Sequence, residues 1–350
     1  MNNEMRKKIE SVFLLQKSQQ NWQKAFLSET PAVRQRIEQE LYEYGPLSQL
    51  FKDPEITEIM VNRHDQVFYE KKGSLHQSAD FFYSEFTFRA AVERLSNLCG
   101  TYMNREKPFV EAQYKHMRIT LIFSELAHSQ TLISIRFQSQ SLLKLEHLRL
   151  IGFLSSPQHN CIMKILDERK NFIVIGATGS GKTTLLQALL AELPQNERVI
   201  TLEDTAEIRK PNQVSAGLLT RQDPSRQVPD VSLDDLLKRA LRLRPDRLVV
   251  GEIRGAEAST LLLALASGHQ GSAGTLHAQS AQEALLRLEM LVQMGAPRWS
   301  LYSVRELIRL SLQNILVVEK SGQHRRLKAI YRISSHETNG LTLHRLDENN

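Results

Sequence analysis

Gly176-Ala-Thr-Gly-Ser-Gly-Lys-Thr-Thr184 satisfies G-x-x-x-x-G-K-[ST] at every fixed position from Gly176 to Thr183. In such a loop successive backbone N–H groups turn inward as an anion nest, the helix that follows offers its positive end, and Lys182 adds a full charge. The expected contacts run through Gly176, Ala177, Thr178, Gly179, Ser180, Gly181, Lys182, Thr183 and Thr184, with the Thr183 hydroxyl left to ligate Mg²⁺. Glu203 and Glu252 each close a short apolar run, and His269 and His277 flank another. A carboxylate at a strand end can deprotonate water or hold a cation, and a histidine can change its charge near neutral pH. On pattern alone each histidine reads first as an ordinary surface or core residue.

These groups need a scaffold that brings their strand ends together. Phe172 to Ile175 is an apolar, β-branched run suited to a buried parallel strand, and the helix after the loop continues to Leu193, where Pro194 ends it. Arg198 to Asp204 reads as a second strand and Arg247 to Glu252 as a third, entered by the turn Arg244-Pro245-Asp246. A helix over Ala256 to Ala266 leads to a fourth strand, Ser272 to His277. In parallel α/β sheets ligands bind at the carboxyl edge, where Glu203, Glu252 and His277 fall.

The amino half follows another pattern. Apolar residues at helical spacing run through residues 1–44, with Thr30 as cap and Pro31 at the first position of a helix that Gly45-Pro46 ends. Short alternating segments follow at Ile56 to Asn62, Gln66 to Tyr69, Met117 to Phe123 and Thr131 to Phe137, with a hairpin turn at Lys71-Lys-Gly-Ser74 and a helix over Phe86 to Gly100. Arg118 and Arg136 lie among apolar neighbours in two of these strands. The expected order is a helical extension (1–44), a small α+β domain (45–140), a linker (141–156) and an α/β domain (157–350).

Composition sets bounds. With 350 residues, 41% hydrophobic and 24% charged, the chain has the make-up of two globular units. Its longest apolar run, Leu261 to Ala266, is far short of the ~20 residues of a membrane-spanning helix, and the amino terminus lacks a signal-peptide apolar core, so a cytoplasmic location is expected. Cys99 and Cys161 make neither a disulfide framework nor a zinc cluster. A net charge of +6 decides neither for nor against nucleic acid or lipid.

Assembled in order, Gly176 to Thr184, Leu202-Glu-Asp-Thr-Ala-Glu207, Leu243 to Gly255, Ser267-Gly-His269 and Gly274-Thr-Leu-His277 resemble the Walker A, Asp box, Walker B and His box of bacterial type II and type IV secretion ATPases. Gly45-Pro-Leu47, Glu58 to Asn62 and Ser134 to Phe137 resemble the amino domain of the branch that assembles tight-adherence pili. The resemblance implies a homohexamer with a PAS-like amino domain and a RecA-like motor domain, ATP and Mg²⁺ as cofactors, and an inner-membrane platform protein as partner, with no nucleic acid. By the same resemblance Glu203 orients or deprotonates the attacking water, Glu252 holds Mg²⁺ indirectly from behind its direct ligands, His269 and His277 sense nucleotide state, and Arg118 and Arg136 bring charge to the phosphates. One departure stands out: Glu111-Ala112-Gln113 replaces the Asp-Ala-Arg common in tight-adherence members, so one expected arginine is missing. The zinc-binding insertion of the type II branch is absent as well. The rival readings are a RecA-like nucleic-acid motor, revealed by salt-sensitive DNA binding, and an ATP-binding scaffold without turnover, against which both glutamates speak.

Overall fold

The computed structural model describes residues 26–127, 130–138, 143–221, 228–322, 324–337 and 340–347, together with Lys7 and Ile9. Nearly all of the helical stretch expected before Thr30 lies outside them. The chain divides into two compact units, Met1–Gln140 and Ser141–Asn350.

In the first unit, helix α1 (Pro31–Tyr42) starts where Thr30 predicts, with the Thr30 hydroxyl accepting from the Val33 N–H and Pro31 in the first turn. It buries Ile37, Leu41 and one acid, Glu40. A buried carboxylate is tolerated only when its lone pairs are filled. Glu40 accepts from the Tyr83 N–H (2.7 Å) and the Thr87 hydroxyl and pairs with Arg36 (2.7 Å). Arg94 donates to the carbonyls of Glu40, Leu41 and Glu43, closing the helix end with a side chain.

After α2 (Leu47–Leu50) come β1 (Ile56–Arg63), β2 (Gln66–Lys71), β3 (Ser74–Gln77), α3 (Glu85–Leu98), β4 (Phe109–Tyr114), β5 (Met117–Ile122) and β6 (Leu132–Phe137). The strands form one sheet in the order β3-β2-β1-β6-β5-β4, and all of its pairings are antiparallel. The β2–β3 turn places Lys72 and Gly73 at φ 52° and 77°, as a two-residue hairpin loop requires. One face packs Ile59, Val61, Ile119, Leu121, Ile133 and Ile135 against Phe88, Val92 and Leu95 of α3. Strand β4 is an addition to the strands expected from the sequence. Its only buried side chain is Val110, so it carries no alternating signal.

The second unit opens inside the expected linker, where α4 (Leu145–Leu150) is a helix burying Leu145 and Leu148. There follow α5 (Ser156–Asp167), β7 (Phe172–Ile175), α6 (Lys182–Ala191), β8 (Val199–Glu203), β9 (Ala216–Leu219), α7 (Leu233–Ala240), β10 (Arg247–Val250) and α8 (Glu257–Ala266). The chain then continues through β11 (Ala273–Leu276), α9 (Ala281–Gly295), α10 (Leu301–Ser311), β12 (Asn314–Ser321), β13 (His324–Glu337) and β14 (Gly340–Arg345).

Its sheet runs β14-β13-β12-β7-β11-β10-β8-β9. The strands from β12 to β9 are parallel, and β13 and β14 extend the sheet antiparallel. Ile173 and Ile175 of β7 face a core built with α7 to α10, whereas Phe172 and Val174 face one built with α4, α5 and α6. Every residue of β7 is buried, and each such side chain contributes roughly 1.5–3 kcal/mol relative to exposure. This is the α/β, RecA-like architecture expected. Among the described residues no helix is long and apolar enough to cross a membrane.

Candidate nucleotide-binding site

The glycine loop leaves β7 at the carboxyl edge and enters α6 through Gly181, whose φ of 100° is closed to most residues. Helices α5, α7, α9 and α10 each begin with a serine side chain over the first N–H groups. At α6 no side chain caps them, which leaves those donors to an anion. Gly176 is required for space: a Cβ there would collide with the Val318 carbonyl oxygen and the Ser180 hydroxyl.

Lys182 is only 7% exposed, and its Nζ donates to the carbonyl oxygens of Gly176 and Ala177 at 3.0 Å each. It also lies 3.4 Å from His277 Nδ1. Burial pulls the Lys182 pKa down, and so does Arg254, while the Glu252 and Glu207 carboxylates oppose them. From His277 the chain of contacts continues: its Nε2 is 3.1 Å from Glu252 Oε1, Arg254 is 2.5 Å from Glu252 Oε2, and Arg254 reaches to 4.0 Å from Asp204. Burial alone would raise the Glu252 pKa. The Arg254 hydrogen bond and the charges of Arg254, His277 and Lys182 together outweigh it and hold Glu252 below the usual carboxylate value. Burial and the Lys182 charge lower His277 in turn.

Glu203 ends β8, 5% exposed, with its side chain alongside Gly251, where a Cβ would come within 2.9 Å of its Cγ. Its Oε1 accepts from the Glu207 N–H (2.9 Å) and the Ile208 N–H (2.8 Å). Burial nevertheless raises the pKa to about 7, because the two backbone donors recover only part of the lost solvation. Strands β8 and β10 are neighbours, Leu202 pairing with Val250, so Glu203 and Glu252 stand on adjacent strand ends as the sequence requires.

His269 is placed elsewhere. Strand β11 runs parallel to β7, with Ala273 beside Phe172 and Leu276 beside Ile175. His277 therefore follows β11 at the loop's edge, whereas His269 precedes it at the opposite edge, roughly 13 Å of strand away. His269 Nδ1 lies 3.0 Å from the Ala264 carbonyl at the end of α8, and the fold does not bring it to the loop of its own chain. The resemblance groups the two histidines in one role, whereas strand direction sets them at opposite ends of β11.

Residues without an assigned role also belong to this edge. Arg254 grips Glu252, and Glu257 fixes the turn between them by accepting from the Arg254 and Gly255 N–H groups at 2.7 and 2.8 Å. The Glu207 carboxylate acts electrostatically on Lys182, Arg254 and Glu203. The signal for Glu207 was its place four residues after Glu203 in a short acidic turn. Arg254 could have been found as a cation two residues from a strand-end acid.

The donor set suits ATP with Mg²⁺. Uncapped N–H groups and Lys182 match phosphate oxygens, and a hydroxyl at Thr183 with an ionised carboxylate at Glu252 matches a hard cation. Among the described residues there is no cluster of acidic, histidine or cysteine side chains able to hold a metal by itself.

In the first unit, Gln113, Arg118, Arg136 and Glu58 form one row across β4, β5, β6 and β1, Arg118 directly opposite Arg136. Both arginines are exposed, on the face away from α3. Neither has an ion-pair partner among the described residues, and Glu58 is bonded to Ser134 at 3.3 Å instead. Opposing like charges cost a fraction of a kcal/mol, up to ~1, which an anion on this face would relieve.

A parallel sheet carrying a glycine loop, with acids on adjacent strand ends, defines a RecA-like P-loop nucleotide-binding domain. The chain belongs to the type II/IV secretion system protein family, which matches residues 40–324. The type IV secretion system protein PtlH of Bordetella pertussis is 30% identical over 303 residues, 79% of this chain and 89% of that one. The conjugal transfer protein TrbB of Rhizobium radiobacter is 29% identical over 292 residues, 82% and 86% of the two chains. Among solved structures, the pilus retraction motor PilT with bound ADP matches at a TM-score of 0.61 and 20% identity, over 84% of this chain and 83% of that one. The ATPase DotB of Legionella pneumophila matches at 0.54 and 21%, over 82% and 79%. At such identities the likeness is one of fold.

Proposed function

We propose that this protein is a ring-forming ATPase that binds MgATP in the Gly176–Thr184 loop, hydrolyses it to ADP and phosphate, and drives a pilus or secretion system through an inner-membrane platform protein. The observation that carries this reading is the meeting of Lys182, His277 and Glu252 at one strand edge, beside a helix start left uncapped. Secretion and conjugal transfer in the names of PtlH and TrbB give the kind of work the hydrolysis would power. The tight-adherence branch is the finer assignment and rests on the amino-domain segments alone.

Phosphoryl transfer to water is mainly a problem of positioning and of charge on the γ-phosphate. Lys182 and the loop amides bind the β- and γ-phosphates, Thr183 and Glu252 would hold Mg²⁺, and Glu203 orients the attacking water or takes its proton. His277, between Lys182 and Glu252, registers whether phosphate is present. Bound Mg²⁺ would supply neutralisation of phosphate charge. The test is phosphate release with MgATP, together with light scattering in a non-hydrolysable analogue at micromolar protein. Turnover and a six-subunit particle are expected; a strict monomer overturns the ring, and salt-sensitive DNA binding with DNA-stimulated turnover would move the assignment to a nucleic-acid motor.

The Arg118–Arg136 row is proposed as the source of the remaining positive charge at the phosphates. Arginine suits this because its fixed fork of donors grips phosphate oxygens in pairs. If it acts chiefly in the transition state, Arg136→Ala lowers kcat by ~10-fold or more and changes ATP affinity less. Gln113, beside Arg118, leaves a gap in this charge, and Gln113→Arg is expected to raise turnover. Full kcat in both Arg118→Ala and Arg136→Ala, at wild-type oligomeric state, would remove the amino domain from the active site.

A further inference from the structure

The β12–β13 hairpin lies against the phosphate loop at Gly176 and Gly179 and runs close to Gly181. At Gly176 it leaves no room for a Cβ, because the Val318 carbonyl occupies that space. At Gly179 the carbonyl oxygen accepts from Arg325 Nε at 2.8 Å. At Gly181 a Cβ would stand 3.7 Å from Arg325 Cδ, so the arginine lies along the Gly179–Gly181 segment. The hairpin is itself held firmly: β12 pairs with β7 up to Val317 and Ile175, the Leu327 N–H donates to the Phe153 carbonyl at 2.7 Å, and the Leu327 carbonyl accepts from Gln158 at 3.1 Å. Arg325 is exposed and has no ion-pair partner among the described residues, and its Nε is spent on the loop.

We infer that Arg325 is a positioning residue for nucleotide binding, acting through the Gly179–Ser180 peptide. A trans peptide is planar, with its C=O and N–H pointing in opposite directions. Holding the Gly179 oxygen outward on the hairpin therefore aims the Ser180 N–H inward, into the nest. That N–H now donates to the Ala177 carbonyl over 3.3 Å, a long bond that a phosphate oxygen would replace. The guanidinium also adds a positive charge beside the loop, screened by solvent but of the right sign for a nucleotide.

This inference rests on the loop being a nucleotide site, and the test separates the two. Fluorescent ADP is titrated into full-length wild type, Arg325→Ala, Arg325→Lys and Lys182→Ala. Arg325→Ala is expected to bind about tenfold more weakly with an unshifted unliganded Tm, and in turnover to raise KM while kcat at saturation holds. Arg325→Lys, which keeps charge and a donor, should recover to within about threefold of wild type. Wild-type ADP affinity in Arg325→Ala, with binding lost in Lys182→Ala, overturns the role of Arg325 and leaves the site assignment standing. Wild-type affinity in Lys182→Ala overturns the site assignment itself. Should the alanine variant fail to fold, Arg325→Gln decides on the same titration: clearly weaker binding supports the inference, and equal binding overturns it.

Discussion

Lys182→Ala is expected to abolish measurable ATP turnover, a loss of about a hundredfold or more, and to weaken ADP binding while leaving the unliganded fold intact. Three observations set this expectation. Lys182 is the only full charge within the loop, it is nearly buried, and its amine touches the Gly176 and Ala177 carbonyls that frame the nest. A charge held where water is largely excluded acts on phosphate far more strongly than one in solvent. The fold should survive, because alanine is the best helix former at the start of α6 and its introduction removes a desolvated ammonium. Phosphate release and isothermal titration with ADP would measure the two effects, with circular dichroism as the control for folding. Unchanged turnover would mean that the loop is not the catalytic site.

Glu203→Gln is expected to keep ATP bound and to lower kcat by roughly 10²- to 10³-fold. The amide oxygen can still accept from the Glu207 and Ile208 N–H groups, so the turn after β8 keeps its shape, but the amide itself takes no proton from water. The pH dependence gives a second signature. With its pKa raised to about 7, Glu203 is largely protonated in acid, so wild-type kcat should climb through pH 7, and that limb should disappear in the variant. Stability has the opposite sign. A carboxyl whose pKa is raised by folding contributes fully below its ordinary value of 4.5, and that contribution is lost as pH rises through about 7. Glu203→Gln should therefore gain thermal stability over wild type at pH 8 and little at pH 5. Near-wild-type kcat in Glu203→Gln, with Glu207→Gln or Glu252→Gln inactive, would transfer the base role to that residue. Glu207 is the first alternative, since its charge already acts on Lys182 and Arg254.

The parts of this site that were legible in the sequence are those written locally. The loop is one uninterrupted stretch, its glycines answer to constraints within a few residues, and β8, β10 and β11 each carry their functional group at an end that a short apolar run marks. What was hidden depends on distant packing. His269 sits on a segment contiguous with His277, yet strand direction separates the two. Arg325 lies in a charged run, His324-Arg-Arg326, that looks like any solvated turn; only the pairing of β12 with β7 brings it to Gly179. In the amino unit, Arg118 and Arg136 were found on the right strands, but their direct opposition is a matter of register, which needs both strands and the β5–β6 connection to be known. Helix α4 escaped notice because only Leu145 and Leu148 are buried in so short a segment.

The insertion of β7 between β11 and β12 bears on how the protein can be cut or made. A fragment ending at Ser311 would contain each of the Walker, Asp and His boxes and would still expose one whole side of β7, with no Val318 against Gly176 and no Arg325 on Gly179. On the ribosome the same geometry delays completion of the phosphate loop until β12 has emerged, long after the loop itself has been translated. In that interval an apolar strand with a bare edge is available for wrong partners. Truncations designed from motif boundaries should therefore misfold where a boundary drawn beyond the hairpin would not.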